Sequence, residues 1–437
     1  MKQSKTIVIV LLVVLMIGGW SSALLDTESG ENAEYKSHVK VAKEYVSRGL
    51  YQKAIEEYEE AVSIQNLEKD WTSMLKAYAS EYEENSKIYY DYVEAAKRAV
   101  SAYNKNADYA ITLANLYMDK EEYDSAYKCL KQAADEGIEN KTIEKLTRKA
   151  RYAYQVEWIS YTDYCPLSNG YYAVSETGVW TYVAEDGTDT DYVNLKFAGP
   201  VGESGIRLIY DDKAKLIDEN EVIQGIISFC PKESGIYSDG LIPVKKDDSF
   251  SYYDSLGDKQ FGEYSCAGTY VGGKAAVKKG DKWEIINKEG DKVSSETYND
   301  IVLNDSQKYI INDVMLAKKR KKYQLFDKNE NVIGSFSCDD IDIATENGWI
   351  AFCDNGKWGF VDNEGKIVIK PTYDEAKSFS NGLAAVSNGD KWGFIDTSGK
   401  IVIDYQFWDA DYFNSEGCCM VETGKDVWQI ISLYIAE

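Results

Sequence analysis

Repeated carboxylates are the first residues of this chain whose type and spacing could do chemistry. In five stretches an Asp or Asn stands four residues after an aromatic residue, at Asp254, Asn287, Asp327, Asp362 and Asp396. Such carboxylates would suit general acid catalysis or calcium binding. Four of the five are followed three residues later by glycine, however, and the sequence contains no D-x-D-x-D-G calcium loop. We therefore interpret them as turn residues that accept backbone N–H groups, because Gly supplies the positive φ that such turns require.

Imidazole and thiol chemistry have few candidate residues. His38 is the one histidine, which excludes multi-histidine metal sites and most imidazole-based nucleophile arrangements. The eight cysteines form no C-x-x-C pair and no compact cluster, so we expect most of them to be small buried apolar residues. The sequence thus nominates no catalytic, cofactor-binding or metal-ligating residue and no cofactor. The cysteines stand at positions 129, 165, 230, 266, 338, 353, 418 and 419.

Length and charge limit the classes of partner. The chain has 437 residues, of which 44% are hydrophobic, enough for two or three domains with sizeable cores. Its formal net charge is −24. A balance this acidic repels phosphate backbones and anionic lipid headgroups, so nucleic acid is excluded as a partner, as is adsorption to a membrane through a basic patch.

The first thirty residues are predicted to form a membrane anchor. Lys2 and Lys5 precede twenty uncharged residues, Thr6 to Leu25. Twenty helical residues span about 30 Å, the thickness of a bilayer core, and the positive flank places the following chain outside the cytoplasm. We therefore predict a transmembrane signal anchor with a short linker over residues 1–30, and a single-pass cell-membrane protein with an extracytoplasmic bulk. The alternative is secretion after signal cleavage near Ala23.

Residues 34–156 have the composition of helices, with no proline and only two glycines, Gly49 and Gly137. The stretches VAKEYVSRGLYQKAIEEYEEAV and LANLYMDKEEYDSAYKCLKQAA resemble the tetratricopeptide repeat family in their small and aromatic packing residues. The space between them fits one further unit, whose register stays open. The resemblance implies a concave surface that binds peptides or helices of other proteins; the alternative is a spacer. The packing residues are Ala42, Tyr45, Gly49, Tyr51, Ala54, Tyr58 and Ala61, then Ala114, Tyr117, Tyr123, Ala126, Leu130 and Ala133.

Residues 157–437 contain a second repeat. Counting ten residues forward from Gly382 reaches Trp392, and the same step from Gly348 reaches Trp358. Eight such starting positions are spaced by 33 to 40 residues: 170, 205, 240, 273, 313, 348, 382 and 417. The stretches KWGFID-x-x-GK and YDEAKSFSNGLAAV resemble the WG-containing repeat family, strongly in the units from Gly348 and Gly382. Elsewhere the Gly after the aromatic is replaced, and we therefore interpret the aromatic as a packing residue rather than a ligand site.

The two ends of the second repeat decide between a closed ring and an open stack. Tyr161 stands nine residues before the first starting position, as Tyr373 does before Gly382, whereas the last unit supplies its opening strands and then stops. A ring closed by N- and C-terminal strands in one blade explains this split and hides the strand edges. We predict a multidomain α + β protein whose C-terminal domain is a propeller of seven or eight blades, with an open β-solenoid as the alternative.

Both repeat types build large surfaces without requiring chemistry. The leading hypothesis is therefore a membrane-anchored extracytoplasmic binding or scaffold protein, not an enzyme, whose partners are proteins, peptides or cell-envelope polymers. Two alternatives stay open. One is a carboxylate-dependent hydrolase of envelope glycans, which needs no histidine. The other is the ectodomain of a sensor complex.

Overall fold

The computed structural model describes residues 30–188, 194–346 and 348–436, and its contacts divide the chain into two units, one ending at Arg151 and one beginning at Tyr152. Within the described residues the first unit has seven α-helices. They are α1 (30–47), α2 (Tyr51–Ile64), α3 (Glu68–Glu84), α4 (Tyr89–Ala102), α5 (Ala107–Asp119), α6 (Tyr123–Asp135) and α7 (Lys141–Arg151).

Consecutive helices of this unit pack as pairs. Ala42, Ala54 and Ala126 are fully buried, because their small side chains let neighbouring helices approach closely. The middle pair, whose register the sequence left open, is α3 and α4, joined by a short 3₁₀ turn. Helix α7 packs on α6 and covers the end of the stack. The helical repeat prediction is confirmed, and so is its length of three pairs and a closing helix.

The predicted membrane localisation is corrected by the structure. In the described ranges no helix is both long and apolar enough to cross a membrane. The physical reason is composition: α3, for example, has 17 residues and carries charged side chains throughout, whereas a spanning helix needs about 20 predominantly apolar residues. The segment on which the prediction was based, Thr6 to Leu25, lies outside the described residues.

The second unit is built from eight antiparallel sheets within its described part. Each sheet is called a blade and is numbered in chain order. The strands of blades 1 to 4 are β2 (Asp163–Ser168), β3 (Tyr171–Glu176) and β4 (Val179–Ala184); β5 (Phe197–Ala198), β6 (Arg207–Tyr210), β7 (Ala214–Ile217) and β8 (Ile223–Ile227); β9 (Glu233–Ser234), β10 (Ile242–Lys246), β11 (Ser249–Tyr253) and β12 (Lys259–Tyr264); and β13 (Cys266–Ala267), β14 (Ala275–Lys279) and β15 (Lys282–Ile286).

The remaining blades complete the ring. Their strands are β16 (Asp300–Ile301), β17 (Val314–Lys319) and β18 (Lys322–Asp327) in blade 5; β19 (Asp340–Ile341), β20 (Ile350–Asp354), β21 (Lys357–Val361) and β22 (Ile367–Tyr373) in blade 6; β23 (Glu375–Ala376), β24 (Leu383–Ser387), β25 (Trp392–Asp396) and β26 (Ile401–Phe407) in blade 7; and β27 (Asp409–Ala410), β28 (Cys418–Gly424), β29 (Val427–Leu433) and β1 (Tyr154–Val156) in blade 8.

Blade 8 closes the ring with strands from both ends of the unit. Strand β1 pairs antiparallel with β29, with Tyr154 opposite Leu433 and Val156 opposite Ile431. The prediction of a propeller is confirmed, with eight blades, and the open solenoid is wrong. Because β1 belongs to blade 8, the second unit begins at Tyr152, whereas the sequence placed the start of this domain at residue 157.

The residue before each starting position links one blade to the next in several repeats. Asn169, Asn312 and Asn381 all have positive φ, which Asn tolerates better than most residues. Their side-chain amides donate to backbone carbonyl oxygens 32 to 34 residues further on, in the following unit. These hydrogen bonds explain part of the spacing of the repeat, since each unit supplies a donor to its successor.

Candidate functional site

A groove of about 580 Å³ lies between α4, α5 and α6 of the helical unit. Its floor contains Ala110, Leu113 and Ala133, which are buried, together with the partly buried Val100. Its rim contains polar and charged residues of α4 and α6. The groove exists because these helices meet through small residues at their bases, which leaves the space between their outer ends open.

The two lysines at the rim of the groove are already paired. Lys97 Nζ lies 2.7 Å from Glu94 Oε1, and Lys128 Nζ lies 2.6 Å from Asp124 Oδ2. Burial raises the pKa of the Cys129 thiol, which also lines the groove, to about 11. The thiol is therefore protonated at neutral pH and a poor nucleophile. The groove offers apolar contact on its floor and exposed, locally balanced ion pairs at its rim.

In the propeller, one position recurs in the first chain segment of every blade, where its backbone pairs with the second strand. It lies inside β2 in blade 1 and directly after the first strand in the other blades. Its occupants differ sharply: glycine in blades 2, 3 and 4, but charged residues in blades 6, 7 and 8. In chain order the eight residues are Cys165, Gly199, Gly235, Gly268, Val302, Asp342, Lys377 and Asp411. This ring of eight residues is called the axial ring below.

Hydrogen bonds place the axial ring at the centre of the propeller. The Tyr412 hydroxyl of blade 8 donates to the Asp342 carboxylate of blade 6, at 2.9 Å from Oδ1 and 2.8 Å from Oδ2. Blades 6 and 8 are separated by blade 7, so a direct contact between them is possible only near the central channel. The Tyr164 hydroxyl of blade 1 likewise donates to Asp411 Oδ2 of blade 8, at 2.8 Å.

Lys377 is the cation of this charged half of the ring. Its Nζ lies 3.6 Å from Asp409 Oδ1 and 3.9 Å from Asp411 Oδ1, and 5.7 Å from the centre of the Tyr412 ring. Burial alone would lower the pKa of Lys377, but the carboxylates of Asp411, Asp409 and Asp342 outweigh it and raise the pKa. Lys377 therefore stays protonated and links blades 7 and 8.

Burial raises the pKa of Asp342, and the hydrogen bonds donated by the Ser378 backbone N–H and the Tyr412 hydroxyl oppose that rise. The Ser378 N–H lies 2.6 Å from Asp342 Oδ2. The charged half of the axial ring thus joins three consecutive blades by hydrogen bonds and by partly buried ion pairs. Such a network holds its side chains in fixed positions, which is the property a binding site needs.

The structure places the five repeated Asp and Asn residues in turns, away from the axial ring. Asp396 Oδ1 accepts the backbone N–H groups of Ser398 at 2.9 Å and Lys400 at 3.2 Å, and Asp362 Oδ1 accepts those of Glu364 and Lys366. The same pattern recurs at Asp254, Asn287 and Asp327.

The repeated aromatic residue packs inside the blades. Trp392 and Trp283 are 9% and 5% exposed, whereas Trp358, Trp180 and Trp428 are half-buried. The Gly that follows Trp392 faces the backbone of β26, because a Cβ added at Gly393 would lie 2.6 Å from the Ile403 carbonyl oxygen. Gly359 has the same relation to β22. The Trp-Gly pair is therefore a packing device, in which Trp fills the core and Gly admits a neighbouring strand.

Sequence reasoning predicted a concave binding surface in the helical unit without naming the residues of the groove, and it missed the axial ring. The signal for the ring was present: the residues after the inner strands, such as Lys377 in YDEAKSF and Asp411 in FWDADYF, change charge from unit to unit. Such positions are not detected when the repeats are compared only for the residues that they have in common. The groove had no comparable signal, since it arises from three helices whose residues are separate in the sequence.

Comparison with known families matches three segments of the propeller, residues 262–283, 358–392 and 392–425, to the model described as WG containing repeat. These segments cover a minority of the chain. The C-terminal region carries WG-containing repeats. A search of curated proteins finds no match.

Several solved structures are similar to parts of the chain. The TPR domain of Sgt2 from Aspergillus fumigatus is 18% identical over 27% of this chain and 76% of its own, with a TM-score of 0.22. Kluyveromyces lactis Hsv2p is 10% identical over 54% of this chain and 92% of its own, with a TM-score of 0.36. The propeller domain of Cps50 from Myceliophteria thermophila is 10% identical over 64% and 99%, with a TM-score of 0.33. The folds of both units are assigned from their own helices and strands.

Proposed function

We propose that this protein is a non-enzymatic scaffold that binds a segment of another protein in the groove between α4, α5 and α6. The chain is a repeat protein with a helical unit and a propeller, an architecture consistent with protein binding. The observation that carries the proposal is the groove itself. Its volume of about 580 Å³ is within the range of sites that enclose a ligand, and its lining comes from three helices.

The chemistry of the lining favours an amphipathic helix as the occupant. Leu113, Val100 and Ala110 form an apolar floor, onto which a short row of apolar side chains would pack in the manner of other helix-in-groove complexes. The ion pairs of Lys97 and Lys128 at the rim are exposed, and exposed pairs contribute little energy. Affinity would therefore come mainly from the floor, and the rim would exclude segments with the wrong charge pattern.

The absence of enzymatic activity is part of the proposal. Thiol chemistry is disfavoured at Cys129 and Cys338, since burial raises the pKa of Cys129 to about 11 and that of Cys338 to about 12. The side-chain oxygens of the repeated turn residues accept hydrogen bonds from backbone N–H groups. Envelope polymers, the glycan hydrolase and the sensor ectodomain all depended on the corrected localisation and are not proposed again.

A peptide-library selection against the full chain tests the proposal. Selected peptides should bind the wild type, and Ser101→Trp, which fills the groove from α4, should weaken them by about tenfold or more. Ser63→Trp is the matched control, because Ser63 is equally exposed but lies on α2, outside the groove. Peptides that bind all three proteins equally would show that the groove is not the site.

A further inference from the structure

A second cavity, of about 250 Å³, lies beside the axial ring of the propeller. Side chains from blades 1, 5, 6, 7 and 8 line it, and most of them are polar. The cavity is many times larger than the space one water molecule needs, so it suits a molecule of several non-hydrogen atoms. The Asn304 amide nitrogen and the Ser306 and Ser415 hydroxyls can hydrogen-bond such a molecule, whereas Asn381, Asn414 and Ser380 already bind backbone groups of the protein.

Asp305 is the unusual residue in this lining. Within the described parts of the chain its carboxylate forms no hydrogen bond and no ion pair, although it borders the cavity. The other carboxylates near the axis are satisfied: Asp342 accepts from Tyr412, and Asp411 accepts from Tyr164. Asp305 is partly buried and borders a polar cavity, so its carboxylate has no competing protein partner when a cation enters.

The part of the cavity that Asp305 lines has a negative charge balance. Burial, together with the charges of Asp411 and Asp342, raises the pKa of Asp305 to about 8, although Lys377 opposes this rise. Among the described residues, Lys377 is within ion-pair distance of Asp409 and Asp411. The cavity therefore has an excess of carboxylate over cation, and the group it lacks is a positive charge close to Asp305.

We propose that this cavity binds a small organic cation, a protonated amine that also carries hydroxyl or amide groups, with its ammonium group against Asp305. The ammonium would donate charge-assisted hydrogen bonds to the unpaired carboxylate. The remaining polar atoms of the ligand would meet the Asn and Ser side chains of the lining. The site lies in the propeller and is independent of the helical groove.

Binding of such a cation is coupled to the ionisation of Asp305. With a pKa of about 8 in the empty cavity, this carboxyl is mostly protonated at pH 6 and must release its proton to hold an ammonium ion. Affinity should therefore rise from pH 6 to pH 8. The other charged or titratable groups that face it are Asp411, Asp342 and Lys377, with Glu346 and Tyr412 in the lining.

Calorimetric titration of the full chain with ethanolamine tests the proposal, and ethylene glycol serves as the uncharged probe of similar size. Ethanolamine should bind the wild type, and Asp305→Asn should weaken it by about tenfold or more, the worth of one hydrogen bond to a charged group. Glu289→Gln, which removes an exposed carboxylate in a turn of blade 4, should leave binding unchanged.

Three results would overturn the proposal: no binding of ethanolamine by the wild type, equal binding of ethylene glycol, or unchanged binding by a folded Asp305→Asn variant. Calcium chloride that gives a stronger Asp305-dependent signal than ethanolamine would also overturn it, in favour of a metal site. If Asp305→Asn does not fold, the affinity of the wild type for ethanolamine is measured between pH 6 and pH 8 instead. An affinity that does not rise over this range contradicts the coupling to Asp305.

Discussion

Blades 6 and 7 differ from blades 4 and 5 in one strand and one residue. Blades 6 and 7 have four strands, and Gly359 or Gly393 follows their Trp. Blades 4 and 5 have three strands, and their aromatic residue is followed by Glu284 or Gln324. In those blades only isolated bridges stand where the fourth strand would be. The aromatic is needed in both groups, whereas Gly is needed only where another strand crosses closely.

This difference indicates that the repeated motif serves to build the blades. The side chains that could bind a ligand stand instead at positions where the repeat units differ. The axial ring is an example, because the same position holds Gly in blades 2 to 4 and Asp342, Lys377 and Asp411 in blades 6 to 8. The helical groove has the same character, since it borders α4, in the unit that follows the repeat pattern poorly. Three pairs of substitutions sharpen or break this comparison.

The largest effect should come from the aromatic residue in either group. Trp392→Ala in blade 7 and Trp283→Ala in blade 4 should each lower the free energy of unfolding by about 3–5 kcal/mol, the usual cost of deleting a large buried aromatic. Urea denaturation followed by circular dichroism measures both. A loss below about 1 kcal/mol in either variant would mean that the aromatic is not a packing residue there.

The glycine should matter only where the fourth strand is present. Gly393→Ala places a Cβ 2.6 Å from the Ile403 carbonyl oxygen and 2.9 Å from the Tyr405 nitrogen, so we expect a loss of about 1–3 kcal/mol from overpacking. Glu284→Ala, at the matching position of blade 4, should stay within about 0.5 kcal/mol. Equal losses in the same denaturation assay would break the comparison between the two groups of blades.

The smallest effect should come from the turn residues, which both groups share. Asp396→Ala in blade 7 and Asn287→Ala in blade 4 each remove an oxygen that accepts two backbone N–H groups. We expect each to cost about 0.5–2 kcal/mol, as for other lost side-chain caps. Thermal melting of the pair checks this. Loss of peptide or ethanolamine binding by either variant while it is still folded would instead assign these residues to a site.

Periodicity in the sequence predicted the parts of the fold that units have in common. Eight starting positions predicted seven or eight blades, of which the structure has eight, and Tyr161, placed like Tyr373, indicated that the ring closes with strands from both ends. The same reasoning could not identify Asp305 or Lys377. The burial of these side chains and their ion-pair partners are determined only when blades that are distant in the sequence meet at the axis. The localisation was wrong because it rested on one apolar stretch, outside the described residues.

Amide hydrogen exchange of the full chain, with and without a selected peptide, tests most directly whether binding lies in the groove and not in the repeated motif. We expect the peptide to slow exchange in α4, α5 and α6, while β21 and β25, which carry Trp358 and Trp392, exchange as before. Slower exchange in β21 and β25 with no change in α4 to α6 would contradict this, and would make the Trp-Gly repeat the ligand site.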